Sequence, residues 1–152
     1  MSPLVIPVGE LARFEGEELG RSNWHLVTQE DINAFAQVTH DTYWIHTDPE
    51  RARKESPWGT TVAHGLYTLS LAAHFLRQVF TVEGAKLVVN YGLNRVRFAA
   101  PCPVGSRIRG RATLTKVEEV PGGVQCTVTL TIEREGQVKP VCVAEEVLRY
   151  VL

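Results

Sequence analysis

One apolar segment, HGLYTLSLAAHFLRQVF at residues 64–80, sets the architecture expected of this chain. Its large apolar side chains recur every three or four residues, which is the spacing of one face of an α-helix. Further apolar residues widen that stripe to nearly every side of the helix. The pattern predicts one long helix over residues 64–80, and such a helix must be buried by a large partner.

The residues after this segment are typical of β-structure. We predict four strands, over residues 86–98, 106–120, 124–133 and 139–150, separated by turns that contain Pro and Gly. Alternation is cleanest in CTVTLTI at residues 126–132, where one face is apolar and the other carries threonines. A long apolar helix laid against one antiparallel sheet gives a two-layer α+β domain.

The first half of the chain is predicted to hold one short strand and two helices, over residues 23–27, 29–38 and 50–55. Thr28, with Asp31 three residues later, resembles a capping box at the start of the first helix. Gln29 is expected to face solvent on that helix. Asp48 followed by proline is an N-cap signature for the second, highly charged helix.

Length and composition favour a single globular domain that spans residues 1–152. The chain has 44% hydrophobic and 22% charged residues and a net charge of -1. It therefore lacks the excess of positive charge that is typical of proteins that bind nucleic acids or anionic membranes. The cysteines, Cys102, Cys126 and Cys142, are isolated and lack zinc-ligand spacing, which favours a reducing cytoplasm. We expect neither a secretory signal at the N-terminus nor a membrane-spanning run.

The densest polar cluster is THDTYWIHTDP at residues 39–49, between two predicted helices. Asp41 and His46 are five residues apart, so an ideal helix or strand would point their side chains in different directions. If this segment curls as an irregular loop, the carboxylate and the imidazole converge on one water molecule. The carboxylate then accepts a proton from water, and the imidazole holds or relays the second hydrogen bond. Capping or surface roles remain the alternative.

The start of the long helix is a second candidate site. First-turn N–H groups have no acceptor within a helix and lie at the positive end of its dipole, so they can donate to a developing oxyanion. Gly65 lacks a Cβ and therefore lets a ligand approach closely. A glycine used only for packing is the alternative interpretation.

These residues together resemble the MaoC-like dehydratases, the (R)-specific enoyl-CoA hydratase group. The matching positions are Phe35-Ala36, Thr39, Asp41, His46, Asp48-Pro49, Ala52, Ser56-Pro57, Ala63-His64-Gly65 and Leu69-Ser70. In the second half NYGLN at residues 90–94 and VRF at residues 96–98 are similar to the nodulation-protein-N-like branch. The combination of D-x4-H with A-H-G is the most specific part of the resemblance.

The resemblance implies a hot-dog fold, in which a sheet wraps around one long helix. It implies a homodimer or a dimer of dimers with an acyl-thioester tunnel at the subunit interface, and a reaction that needs no metal and no cofactor. Asp41 and His46 would hold and activate water, and the Gly65 amide would polarise the thioester carbonyl. The reaction implied is reversible syn hydration of a trans-2-enoyl-CoA to an (R)-3-hydroxyacyl-CoA.

Six further residues are candidates for substrate binding: Tyr43, Trp44, His64, Asn90, Tyr91 and Arg97. The two aromatic residues of the loop replace the Asn-Pro that the family often has, and they could narrow the acyl pocket. His64 also fits a buttress for the loop, and Asn90 with Tyr91 fits a dimer seam. His40 stands where the family usually has glycine, which puts the loop backbone in question if its φ is positive.

Two other classes of function stay open. A hot-dog thioesterase would direct water to the thioester carbon instead of C3 and release free CoA. A noncatalytic acyl-thioester binding subunit would keep the fold without turnover, and the His40 substitution is its main support. Retention of both Asp41 and His46 argues against it.

Overall fold

The computed structural model describes residues 2–152. Its strands are Leu4–Pro7 (β1), Glu18–Arg21 (β2), His25–Leu26 (β3), Phe80–Glu83 (β4), Leu87–Arg97 (β5), Arg107–Val120 (β6), Gly123–Arg134 (β7) and Cys142–Val151 (β8). Its α-helices are Gln29–Thr39 (α1), Trp44–Thr47 (α2), Pro49–Glu55 (α3), Gly65–Ser70 (α4) and Ala72–Val79 (α5). A 3-10 helix spans Val8–Phe14.

The main sheet is antiparallel and has the strand order β2-β6-β7-β8-β5, with β3 paired to β6 beyond the end of β2. The three long neighbours β6, β7 and β8 are joined by short turns, as the sequence predicted. Strand β5 lies at one edge of this sheet. A separate parallel pair is formed by β1 and β4.

The core lies between α5 and the concave side of this sheet. Val128, Leu130 and Ile132 alternate along β7 and are fully buried, which confirms the predicted inward face. On α5, Phe75 is also fully buried. A Cβ on Gly110 of β6 would lie 2.7 Å from the Cβ of Phe75, so this glycine permits the close approach of helix and sheet. The predicted two-layer α+β arrangement is confirmed.

The predicted single helix over residues 64–80 is wrong in its continuity. Leu71 separates α4 from α5, and Phe80 already belongs to β4. The hydroxyls of Thr68 and Ser70 donate to helical carbonyls three and four residues earlier, a pattern that bends helices. The helix is also not buried on all sides, because Leu66 is 58% exposed.

The two other predicted helices are confirmed with small shifts in their ends. Thr28 Oγ1 accepts a 3.1 Å hydrogen bond from the Asp31 N–H, and Asp48 Oδ1 accepts a 3.0 Å bond from the Arg51 N–H. These side chains satisfy first-turn N–H groups that would otherwise lack a partner.

The strand predictions need three corrections. The strand expected over residues 23–27 shortens to β3, and residues 139–141 precede β8. Strands β1, β2 and β4 were not predicted, because each has only four residues and no apolar alternation that distinguishes it from a loop. Gly92 lies at a register shift between β5 and β8, where the regular pairing of the two strands is interrupted.

The three cysteines are buried free thiols. Burial raises the pKa of Cys102 to about 11 and that of Cys126 to about 12, which keeps both thiols protonated and inert. Within residues 2–152, no helix is long and apolar enough to cross a bilayer.

Candidate active site

The polar segment after α1 is positioned by an unusual backbone turn. Helix α1 ends with His40 in the left-handed conformation, at φ 63° and ψ 15°. Glycine is the residue that adopts this conformation without a steric penalty, so the structure keeps the glycine-like turn although histidine occupies it. The segment is then irregular only as far as Tyr43, because α2 forms one helical turn that carries His46, where the sequence predicted a loop throughout.

His46 has one ring nitrogen tied to the backbone. Its Nδ1 lies 2.7 Å from the carbonyl oxygen of Val62, and because a carbonyl can only accept, Nδ1 carries the proton. In the neutral ring the lone pair is then on Nε2. Burial lowers the pKa of His46, and the nearby His64 lowers it further, against an opposing effect of the Val62 hydrogen bond. His46 is therefore a neutral base with a free Nε2.

The ring of His64 packs against the ring of His46. The two rings are stacked with centroids 3.8 Å apart and planes 25° apart. His64 is 3% exposed, and its Nε2 donates a 2.9 Å hydrogen bond to the backbone oxygen of Asp41. The ring thus packs against one member of the candidate dyad and holds the backbone of the other.

The side chain of Asp41 completes the cluster. Its carboxylate is 52% exposed, and Oδ2 lies 4.0 Å from the His64 Nε2. Asp41, His46 and His64 each offer a polar atom within 4.8 Å of the others. One water oxygen about 2.8 Å from a carboxylate oxygen and from Nε2 of His46 fits this spacing. The structure therefore brings Asp41 and His46 close together, although His46 lies on α2 and not on an irregular loop.

The same three residues do not form a good metal cage. Imidazole lone pairs lie in the ring plane, and the planes of His46 and His64 are stacked only 25° apart, an arrangement unlike that of two histidines that point at one ion. In addition, His46 Nδ1 and His64 Nε2 are already hydrogen-bonded to carbonyls. The arrangement suits a water held by Asp41 and His46 better than tetrahedral coordination of an ion.

Two residues that the sequence analysis missed hold the dyad loop in place. Gln29 Nε2 donates to the backbone oxygen of His46 at 2.7 Å, and Gln29 Oε1 accepts from Thr61 Oγ1 at 2.5 Å. Thr61 is 1% exposed. The prediction that Gln29 faces solvent is wrong, because its position at the start of α1 faces α2. Because glutamine is polar, the apolar periodicity of the sequence could not show that Gln29 faces another helix.

Gly65 begins α4, directly after His64, and lies beside the cluster. A Cβ at this position would come within 2.7 Å of the Phe98 ring, so glycine is required for the present packing. Gly65 and Phe98 line a cavity of 310 Å³ together with Trp58, Val62 and Thr68. The packing and ligand interpretations of this glycine therefore coexist, since a cavity borders the same residue.

The two aromatic candidates flank the dyad differently. The Tyr43 ring is 57% exposed, with its centroid 6.4 Å from that of His46. Trp44 is half-buried and is covered by the Arg51 guanidinium, 4.3 Å from the ring centroid. Tyr43 is thus the aromatic side chain placed to border a ligand at His46.

The remaining three candidates lie on the edge strand β5, apart from the cluster. Asn90 lines a larger cavity between β5 and α5. The exposed Tyr91 ring is covered by the Arg149 guanidinium at 3.5 Å. Arg97 is exposed, and its Nη1 donates to the carbonyl oxygen of Val96 at 2.7 Å.

Three other strand arginines are engaged in ion pairs. Arg109 and Arg111 share Glu133, at 3.0 and 2.9 Å, and Arg107 pairs with Glu135 at 2.8 Å. The two arginines hold the pKa of Glu133 below its usual range although its burial opposes this. These guanidiniums are structural partners of carboxylates on β7 and the turn that follows it.

Comparison with known proteins identifies the family of this chain. The chain matches the MaoC like domain family over residues 11–136. It belongs to the MaoC-like dehydratase family. It is 53% identical over 145 residues to a 3-hydroxyacyl-thioester dehydratase Z of Mycobacterium tuberculosis, and the aligned region covers 95% of each chain. It is 43% identical over 133 residues to Nodulation protein N of Rhizobium leguminosarum bv. viciae, which covers 85% of this chain and 81% of that protein.

The fold of this MaoC-like dehydratase is shared with solved structures. The structure of an (R)-hydratase from A. caviae superposes with a TM-score of 0.73 over 90% of this chain and 96% of that one, at 22% identity. The expected hot-dog fold, with a sheet around the α4–α5 helix, is confirmed. The resemblance to both the MaoC-like and the nodulation-protein-N groups is confirmed as well.

Proposed function

We propose that this MaoC-like dehydratase interconverts trans-2-enoyl and (R)-3-hydroxyacyl thioesters of CoA by adding or removing water. The observation that carries the proposal is the pairing of the Asp41 carboxylate with a neutral His46 whose Nε2 is free. Its 53% identity to a 3-hydroxyacyl-thioester dehydratase supports the reaction class. The (R) configuration is supported by the fold shared with an (R)-hydratase.

In the hydration direction, water donates one hydrogen bond to the Asp41 carboxylate and one to Nε2 of His46. The water oxygen attacks C3 of the enoyl thioester as one of its protons passes to the dyad. The C2–C3 π electrons move onto the thioester oxygen as an enolate. Return of a proton from the dyad to C2 on the same face completes syn addition, and dehydration is the reverse.

The developing enolate oxygen needs a donor. The N–H of Gly65 is a first-turn amide of α4 without an intrahelical acceptor, and it lies at the cavity that Phe98 borders. A preorganised N–H at this oxygen stabilises the transition state by a few kcal/mol. Tyr43 then borders the acyl group near C3, and His64 positions both members of the dyad.

The β5 edge supports assembly as a homodimer. Its exposed side chains include Leu87, Val88, Val89, Tyr91 and Leu93, between 42% and 56% exposed. An unpaired edge with this much apolar surface is the kind of strand that pairs with another chain. A second copy joined through β5 would bring Asn90 and Tyr91 to the seam and Arg97 toward a bound CoA. Such an enzyme would act in the cytoplasm.

The test is hydration of crotonyl-CoA and of a longer trans-2-enoyl-CoA, with chiral analysis of the product. Asp41→Asn and His46→Gln should each lower kcat/KM by about 10²–10⁴-fold while thermal unfolding changes little, because each replaces a group that can take a proton from water with an amide that cannot. His74→Gln, at an exposed histidine on α5, is the matched control and should retain full activity.

Release of free CoA instead of a hydroxyacyl product would assign the chain to the thioesterases. Undiminished turnover in both dyad variants would exclude the dyad. Binding of the thioester without any turnover by the parent protein would support the noncatalytic alternative.

A further inference from the structure

A cavity of 510 Å³ lies between α5 and the β5–β8 edge of the sheet. Exposed residues form its mouth, among them Arg77 on α5 and Asn90 on β5. Buried residues form its inner wall: Leu76, Glu146, Leu148 and Tyr150. The cavity therefore leads from solvent to a wall that is apolar except for a carboxyl group and a phenol.

Glu146 is out of place on this wall. Alternation along β8 puts it on the same inward face as Ala144 and Leu148, and it is 2% exposed. Its Oε2 is buried without a hydrogen-bond partner. Burial raises the pKa of Glu146, which favours the neutral carboxylic acid. A buried polar group without a partner destabilises a fold, so its presence calls for a reason other than stability.

The cavity and the candidate active site lie along one boundary, the seam between strand β5 and the α4–α5 helix. At one end of the seam Phe98, just after β5, covers Gly65 at the start of α4. At the other end Leu87, the first residue of β5, lines the cavity opposite α5. Ala73 at its mouth is eight residues after Gly65, on the helix that follows the bend at Leu71. An acyl chain that continued from a thioester at Gly65 along this seam would run toward Glu146.

We propose that Glu146 is a specificity-determining residue that selects acyl thioesters carrying a hydroxyl group at the far end of the chain. A carboxylic acid has one O–H donor and one carbonyl acceptor, and an alcohol also donates once and accepts. The two groups can therefore form a reciprocal pair of hydrogen bonds, while Leu76 and Leu148 contact the methylenes. The inference rests on the proposed hydratase function and names the substrate class of that site.

The test compares medium-chain trans-2-enoyl-CoA substrates with and without a terminal hydroxyl. The parent enzyme should show a kcat/KM about tenfold higher for the hydroxylated member of a pair at the chain length that reaches Glu146. Glu146→Leu should abolish that preference or reverse it, since a leucine leaves the hydroxyl unpaired. Glu146→Gln, which keeps a donor and an acceptor, should retain much of it.

Glu145→Gln is the matched control, because Glu145 is the neighbouring carboxylate with its side chain on the opposite, partly exposed face of β8. This variant should keep the parent preference. Glu146→Leu should also unfold at the same temperature as the parent or higher, because it removes a buried polar group without a partner. A large drop in its melting temperature would show that Glu146 is satisfied by another group, and would overturn the proposal.

A binding measurement separates failure of this inference from failure of the hydratase assignment. Calorimetry with saturated acyl-CoA ligands, which have no double bond to hydrate, should show about tenfold tighter binding of the terminally hydroxylated chain to the parent and not to Glu146→Leu. Equal binding and equal turnover of the paired compounds would overturn the inference while leaving the hydratase function intact. Absence of turnover with the binding preference present would overturn the hydratase function alone.

Discussion

In the proposed mechanism His46 acts as a base, and its surroundings fix both its tautomer and its charge. The hydrogen bond to Val62 places the proton on Nδ1, and partial burial together with the stacked His64 favours the neutral ring. A histidine with its ordinary pKa of 6.5 would be half protonated at pH 6.5, and the protonated half would lack the Nε2 acceptor. The loop geometry thus keeps the acceptor available at lower pH.

This environment predicts the acid side of the pH profile. The pKa of His46 is lowered, so protonation, which removes the Nε2 lone pair, should begin only below pH 6.5. We expect kcat/KM for a trans-2-enoyl-CoA to fall with decreasing pH at an apparent pKa below that value. The residual activity of His46→Gln should lack this limb, and a limb at or above 6.5 in the parent would contradict the environment described for His46.

The backbone angles at His40 show whether histidine, in place of the family's usual glycine, changes the turn before Asp41. A histidine at φ 63° pays a conformational cost that glycine avoids, yet the backbone keeps the turn that directs Asp41 toward His64. The substitution therefore does not by itself favour a noncatalytic protein. Sequence alone could name the position and the concern, but only the backbone angle answers it.

At the scale of elements, the active-site geometry depends on how α5 and the sheet pack. The α4–α5 helix carries Gly65 at one end and packs Phe75 against β6 farther along. Gly110 on β6 is the contact point, because a methyl group there would overlap the Cβ of Phe75, which is too close to the backbone to move freely. The position of α4 over the site follows from this contact.

Gly110→Ala should therefore destabilise the fold, by about 1–3 kcal/mol in the free energy of unfolding measured with urea. Gly92→Ala is the matched strand control, since nothing lies within 4 Å of a Cβ built there. It should stay within about 0.5 kcal/mol of the parent. Equal stability of the two variants would show that α5 does not rest on β6 as described.

At the scale of the whole molecule, the main sheet has one long exposed edge. β5 pairs with β8 along one edge, its other edge is unpaired within residues 2–152, and most of its side chains are exposed. A strand of this length in an enzyme is usually protected by charge, by a bulge or by a partner chain. The register shift near Gly92 bends β5, but the exposed valines and leucines around it remain.

Val89→Lys should dissociate the proposed homodimer, because it places a charge on a paired and apolar edge. Sedimentation velocity should then show a shift from dimer to monomer, with loss of activity if the seam completes the acyl site. Val138→Lys, at a fully exposed valine outside the strands, is the control and should leave the assembly unchanged. A monomeric parent protein would contradict the dimer directly.

Hydrophobic periodicity and short sequence motifs were enough to predict the local features of this protein. Alternation in residues 126–132 identified a strand with one buried face, and Thr28 and Asp48 marked true helix starts, because capping and burial act over a few neighbouring residues. The D-x4-H and A-H-G motifs identified the residues that form the cluster. The bend at Leu71 and the four-residue strands left no comparable pattern.

Tertiary structure alone decided what lies far apart in the chain but close in space. The stack of His46 on His64, the support of α2 by Gln29, and the carboxyl of Glu146 on a cavity wall each join distant segments. Alternation along β8 could have flagged Glu146 as inward-facing, but it could not show a cavity. Local sequence governs local hydrogen bonding and burial, whereas a site forms only where packing brings separate elements together.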